Sequence, residues 1–142
     1  MTVCTRRAQG RRADTWPSVD GVTRLLVVDG ANVVGARPDG WWNDRAGAAQ
    51  RLHEQLLTAD VDGDIVLVLE GQAKAGVRPG RDGHVTVVHA PQDGDSEIVR
   101  QAHQAAEAGH QVTVVTADRL LAVRVAKAGR TVGPSWLLDR LE

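Results

Sequence analysis

Three hydrophobic runs in this chain each lead to an acidic residue. Leu25-Leu26-Val27-Val28 leads into Asp29, and Ile65-Val66-Leu67-Val68-Leu69 into Glu70. Val112-Thr113-Val114-Val115-Thr116 leads, one residue on, to Asp118. The runs are too short for ordinary helices and rich in β-branched residues, so they read as buried strands. Helical patterns lie between them, which specifies an α/β chain with a central, mainly parallel sheet flanked by helices. Ligands of an open parallel sheet bind beyond the carboxyl ends of its strands. The spacing therefore predicts that several carboxylates meet at one edge of one sheet, where their repulsion calls for a cation.

Composition narrows the choices. A chain of 142 residues suits one domain with a real core. The net charge of −1 gives no global nucleic-acid signature. Positive charge is local: Arg6, Arg7, Arg11 and Arg12 crowd one end, and Lys74, Arg78 and Arg81 share one Gly-rich segment. The single Cys4 excludes an internal disulfide and a multi-cysteine zinc site. No apolar stretch approaches about 18 residues, so no membrane span is expected. No signal-peptide core follows the first arginines, and a reduced, cytoplasmic setting is expected.

Residues 1–23 lack periodicity and are predicted to form a flexible basic N-terminal tail, with Trp16 docking its near end. The domain is placed at 24–142. Strands are predicted near 24–29, 64–70, 84–89 and 111–116, with a short fifth at 131–132. Residues 30–43 read as a long loop leading to a helix near 44–59, whose buried stripe is Ala49, Leu52, Leu56 and Ala59. Residues 71–83 read as a Gly- and Arg-rich loop. Asp95-Ser96 opens a helix that either residue caps, with Ile98, Ala102, Ala105 and Ala106 inward and Gly109 as its stop. Asp118 caps a helix that runs to about 128 and is stopped by Gly129. A last helix at 135–141 carries Trp136.

The common nucleotide-binding readings fail on particular residues. The turn after the first strand is Asp29-Gly30-Ala31-Asn32, not Gly-x-Gly-x-x-Gly. No Gly-Lys-Ser/Thr occurs, which excludes a P-loop. Ala31 stands where an aspartyl-nucleophile phosphatase would carry its second Asp. What remains is a carboxylate cluster beside one amide, Asn32, a donor set that suits Mg²⁺ or Mn²⁺. Each acid also has a plain local role. Asp95 and Asp118 are well placed as N-caps, Asp29 as a turn residue and Glu97 as a first-turn charge. It is the recurrence at equivalent strand ends that favours a site. The chain has no Phe or Tyr, so one of Trp41 and Trp42 is expected to anchor its loop, leaving the other available to stack on a base. The five histidines are scattered and read as structural or exposed.

Residues 26–34, 94–99 and 112–119 resemble, in order and spacing, the three signature blocks of NYN-domain proteins. The similarity is to the YacP-like branch of the PIN-like nuclease superfamily, across 24–142. It implies a Rossmann-like domain and a metal-dependent endoribonuclease that cleaves single-stranded RNA using Mg²⁺ or Mn²⁺. RNA would be the partner, with an association with the ribosome. By position, Asp29, Asp95 and Asp118 match the family's metal-binding acids, and Asn32 matches its polar companion. Glu70 stands where relatives often carry Asp and would join the metal set with a longer arm. Asp93 and Glu97 are further acids of the second block. Lys74, Arg78, Arg81 and Arg119 are expected to meet phosphate. Two other readings stay open: a non-catalytic RNA-binding module on the same fold, and a metal-dependent nucleotide phosphohydrolase with a closed pocket.

Overall fold

The computed structural model describes residues 23–141. The expected tail, with its four arginines, Trp16 and Cys4, lies outside these residues apart from Thr23. The described strands are β1 (Arg24–Asp29), β2 (Asp64–Leu69), β3 (Gly80–Asp82), β4 (Val85–His89), β5 (Gln111–Val115) and β6 (Gly129–Val132). They form one sheet in the order β3-β4-β2-β1-β5-β6. All neighbouring pairs are parallel except β3 with β4. The helices are α1 (Gly30–Gly35), α2 (Arg45–Thr58), α3 (Gly94–Glu107), α4 (Arg119–Val125) and α5 (Pro134–Leu138).

The apolar runs are unbroken because both faces of the central strands are covered. Leu26, Val28, Ile65 and Leu67 pack with Leu52 and Leu56 of α2. Val27, Val66, Val112 and Val114 point the other way, against Ile98 and Ala102 of α3 and Leu121 and Val125 of α4. Alternate residues of each strand therefore feed two separate cores. Burying one such side chain contributes about 1.5–3 kcal/mol, so the two layers dominate the stability.

The connections differ from expectation in four places. The loop read at 30–43 contains α1, capped by Asp29 and held by the buried Val33 and Val34, and a 3-10 turn at Trp41–Asn43. The loop read at 71–83 contains a 3-10 turn at Gly71–Gly76 and the antiparallel β3. Helix α3 is capped by neither Asp95 nor Ser96. Asp93 has the extended backbone of a cap (ψ 151) and accepts from Ser96 N at 2.7 Å. Gly129 starts β6 rather than ending a helix, and α4 closes at Val125. Gly109 does end α3 as expected. Its φ of 97 lets the Gly109 and His110 amides reach back to Ala106 and Ala105, a Schellman closure.

The topology fixes where a site can lie. From β1 the chain turns to β2 on one side, and from β5 it turns to β6 on the other. The crevice between the carboxyl ends of β1 and β5 is therefore the switch point of the sheet. Gly30, which follows β1, has no room for a side chain on the β2 side, since a Cβ there would lie 2.7 Å from the Val68 carbonyl oxygen. Among the described residues, no helix is long and apolar enough to cross a membrane.

Candidate functional site

Asp29, the last residue of β1, is 3% exposed. Its Oδ2 accepts from the Thr116 hydroxyl and from Asn32 Nδ2, each at 2.8 Å. Asn32 in turn accepts the Ala117 amide at 3.1 Å, so α1 is tied to the chain leaving β5. Burial pushes the Asp29 carboxyl above its usual range, the bonds from Thr116 and Asn32 oppose this, and the charge of Asp95 adds to it. Its Oδ1 makes only a long contact, 3.4 Å, from Asn32 N.

Asp118 caps α4, its Oδ1 accepting from Leu120 N at 2.9 Å and Leu121 N at 3.1 Å. Its own amide donates to Thr116 Oγ1 at 3.1 Å. Its Oδ2 accepts no hydrogen bond from a described residue. The capping reading of Asp118 is thus correct as far as it goes, and one oxygen remains for other work.

The second block divides cleanly. Asp93 spends both oxygens on Ser96 as the cap of α3, which lowers its pKa. Glu97 is buried; desolvation would raise it, but bonds from Arg100 and Gln101 outweigh that and hold it low. Asp95 accepts no hydrogen bond from a described residue. Desolvation, then the charges of Asp118 and Asp93, push it up against the pull of Arg124. Of the three acids, Asp95 alone is electrostatically coupled to the acids at the ends of β1 and β5.

Glu70 follows β2 and turns toward α3, where Oε1 accepts from Gly94 N at 3.1 Å. A Cβ at Gly94 would lie 2.3 Å from that oxygen, so the pair is fitted. Glu70 therefore holds a helix end and contributes at most its second oxygen to the edge.

The basic residues do not stay together. Lys74 donates to the Ala90 carbonyl at 3.1 Å, on the acidic edge but occupied. Arg81 lies on β3 and pairs with Asp64 at 3.5 Å, at the amino end of β2. The expectation that Lys74, Arg78 and Arg81 leave the sheet at the acidic edge therefore fails for Arg81, because β3 doubles back along β4. Arg78 is exposed beyond the 3-10 turn, and Arg119 is exposed at the first position of α4. Two residues enter that the sequence did not single out. Thr116 reads as one more β-branched strand residue, and Arg124 as a surface charge of α4; nothing in a linear pattern sets them apart.

All candidate ligands are oxygens, so the donor chemistry fits a hard divalent ion. Among the described residues, no three His, Cys, Asp or Glu side chains already form a cage. Mg²⁺ does not demand one, since it is usually held by one or two carboxylates, with waters and substrate phosphate completing its shell. A cavity of about 410 Å³ lies at the opposite edge of the sheet, lined in part by Arg24, Arg130, Arg140 and Trp136. None of the acids discussed above borders it.

No family model matches the chain, and no curated protein matches it in sequence. Among solved structures it is similar to Rae1 (YacP) from Bacillus subtilis, with a TM-score of 0.67 and 19% identity. The match covers 83% of this chain and 74% of that one. The fold is YacP-like. Six mostly parallel strands between two helical layers are the α/β arrangement expected from the sequence, and they are consistent with a PIN-like domain. The YacP-like likeness carries the architecture, and the chemistry has to be argued from the residues on it.

Proposed function

We propose that this chain is a divalent-metal-dependent endoribonuclease acting on single-stranded RNA. The observation that carries this reading is the bridging of Asp29 and Asp118 by Thr116 at the switch point of a YacP-like sheet, with the charge of Asp95 acting on Asp29. Asp29, Asp95 and Asp118 would hold Mg²⁺ or Mn²⁺. Bound there, the ion would supply Lewis-acid stabilisation of the phosphate and a lowered pKa for water.

The chain's own residues do the rest. Asn32 and Thr116 fix the Asp29 carboxylate in one orientation, which spares reorganisation during reaction. The α4 amides hold Asp118 by Oδ1, which would leave Oδ2 for the ion. Arg119, exposed one residue on, would meet a phosphate oxygen. RNA is the proposed partner, in the cytoplasm, with the ribosome as its setting by family resemblance.

A nucleotide phosphohydrolase would want an enclosed pocket at the acids, and the 410 Å³ cavity is at the other edge. The test is cleavage of a labelled single-stranded RNA in Mn²⁺, with and without excess chelator. Asp118→Asn should cut at least ~100-fold more slowly, since metal ions contribute several kcal/mol to such transition states. Full cleavage in chelator would reject the reading.

A further inference from the structure

Of the segment expected to grip RNA, Arg81 is drawn away to Asp64 and Lys74 is tied to a backbone carbonyl. The acids themselves repel phosphate. Stacking on a base adds an attraction that this repulsion does not oppose.

Trp41 and Trp42 stand at that edge. Helix α2 delivers the chain to the amino end of β2, so its first residues, and the turn before them, are at the carboxyl end. The 3-10 turn leaving β2 confirms the placement, since a Cβ at Gly76 would lie 1.9 Å from the Ala46 carbonyl oxygen. Trp41 is half-buried against the core, as expected of one member of the pair. Arg45 lies 5.0 Å from its ring centroid. Trp42 meets Trp41 edge to face, 6.1 Å between centroids at 85°, and is itself 59% exposed. Among the described residues the large apolar side chains left exposed are Trp42, Leu120 and Val123, and of these Trp42 alone offers a π face. Its packing against Trp41 restrains the ring, so little rotamer freedom is left to lose on binding.

We propose that Trp42 is a stacking platform for one unpaired base of single-stranded RNA, anchored by Trp41 beside the acidic edge. The proposal rests on the ribonuclease reading and names how the same site takes its substrate. An aromatic face accepts any base, so the platform positions the strand without selecting sequence.

The test is binding of a labelled 12-nucleotide single-stranded RNA, and of the same strand carrying abasic positions, in chelator to suspend cleavage. Trp42→Ala should weaken binding of the intact strand about 5- to 150-fold, which is about 1–3 kcal/mol per stacked base at 1.4 kcal/mol per tenfold. Trp42→Phe should restore most of it. Binding of the abasic strand should be nearly indifferent to Trp42→Ala, and the salt slope should not change, because stacking releases no counterions. Equal weakening of both strands would overturn the proposal, as would an unchanged affinity in Trp42→Ala, which leaves Trp42 for a protein contact. A wild-type chain that binds no RNA would instead reject the ribonuclease reading beneath it.

Discussion

The Thr116 hydroxyl donates to Asp29 Oδ2 at 2.8 Å and accepts the Asp118 amide at 3.1 Å, so one buried side chain spans two acids at neighbouring strand ends. Thr116→Val keeps the shape and removes both bonds. It should cost about 1–3 kcal/mol in urea unfolding, because the groups left behind are sheltered from water. Thr116→Ser should recover most of this. The Thr116 bond lowers the Asp29 pKa, so the valine variant should also titrate Asp29 at a higher pH, measured by carboxyl NMR. Valine as stable as threonine would show that the bridge does not organise the site.

Asp95 gives the sign of the electrostatics. Its folded pKa is raised above 3.8, so its contribution to stability is full at low pH and falls as pH rises through the folded value. In metal-free protein, Asp95→Asn should therefore melt higher than wild type at pH 7, with the gain vanishing below 3.8. Mn²⁺ at about 100 times its Kd should stabilise wild type by about 2.7 kcal/mol, and matched NaCl should not. A metal-free Asp95→Asn that melts below wild type at every pH would refute the penalty that burial and the neighbouring carboxylates place on the Asp95 charge.

Glu70 separates a structural acid from a ligand. Glu70→Gln keeps an acceptor for Gly94 N and should leave RNA cleavage within a few-fold of wild type. Glu70→Ala should lower stability by roughly 1 kcal/mol, the usual scale for a lost helix-end acceptor. If Glu70→Gln slows cleavage as much as Asp95→Asn, Glu70 belongs to the metal set after all.

The strands were legible because β1 and β2 are buried on both faces and written as unbroken apolar runs, while β4 and β5 keep β-branched runs interrupted only by Thr86 and Thr113. Their observed ends lie within one residue of those read from sequence. Helix α1 was not legible: six residues show no period, and Val33-Val34 looks like strand. It forms because Asp29 caps it and both valines are buried. Strand β3 has no apolar residue at all and exists only through its pairing with β4.

The site divides in the same way. Asp29, Asn32 and Asp118 were visible as residues punctuating strand ends. The second block was not resolvable, because Asp93, Asp95 and Glu97 each satisfy the rules for a helix start. Their roles separate only through partners: Ser96 for Asp93, Arg100 and Gln101 for Glu97, and other carboxylates for Asp95. The separation of Arg81 from Lys74 is not legible, because sequence proximity does not reveal that the chain reverses between them.

That three-way separation makes the sharpest test of the central claim. Purified wild type, Asp93→Asn, Asp95→Asn and Glu97→Gln are each incubated with labelled single-stranded RNA and Mn²⁺, with chelator controls. The expected result is metal-dependent cleavage that falls by at least ~100-fold in Asp95→Asn and only mildly in the other two. Equal losses in Asp95→Asn and Glu97→Gln, or wild-type cleavage undiminished in chelator, would contradict it.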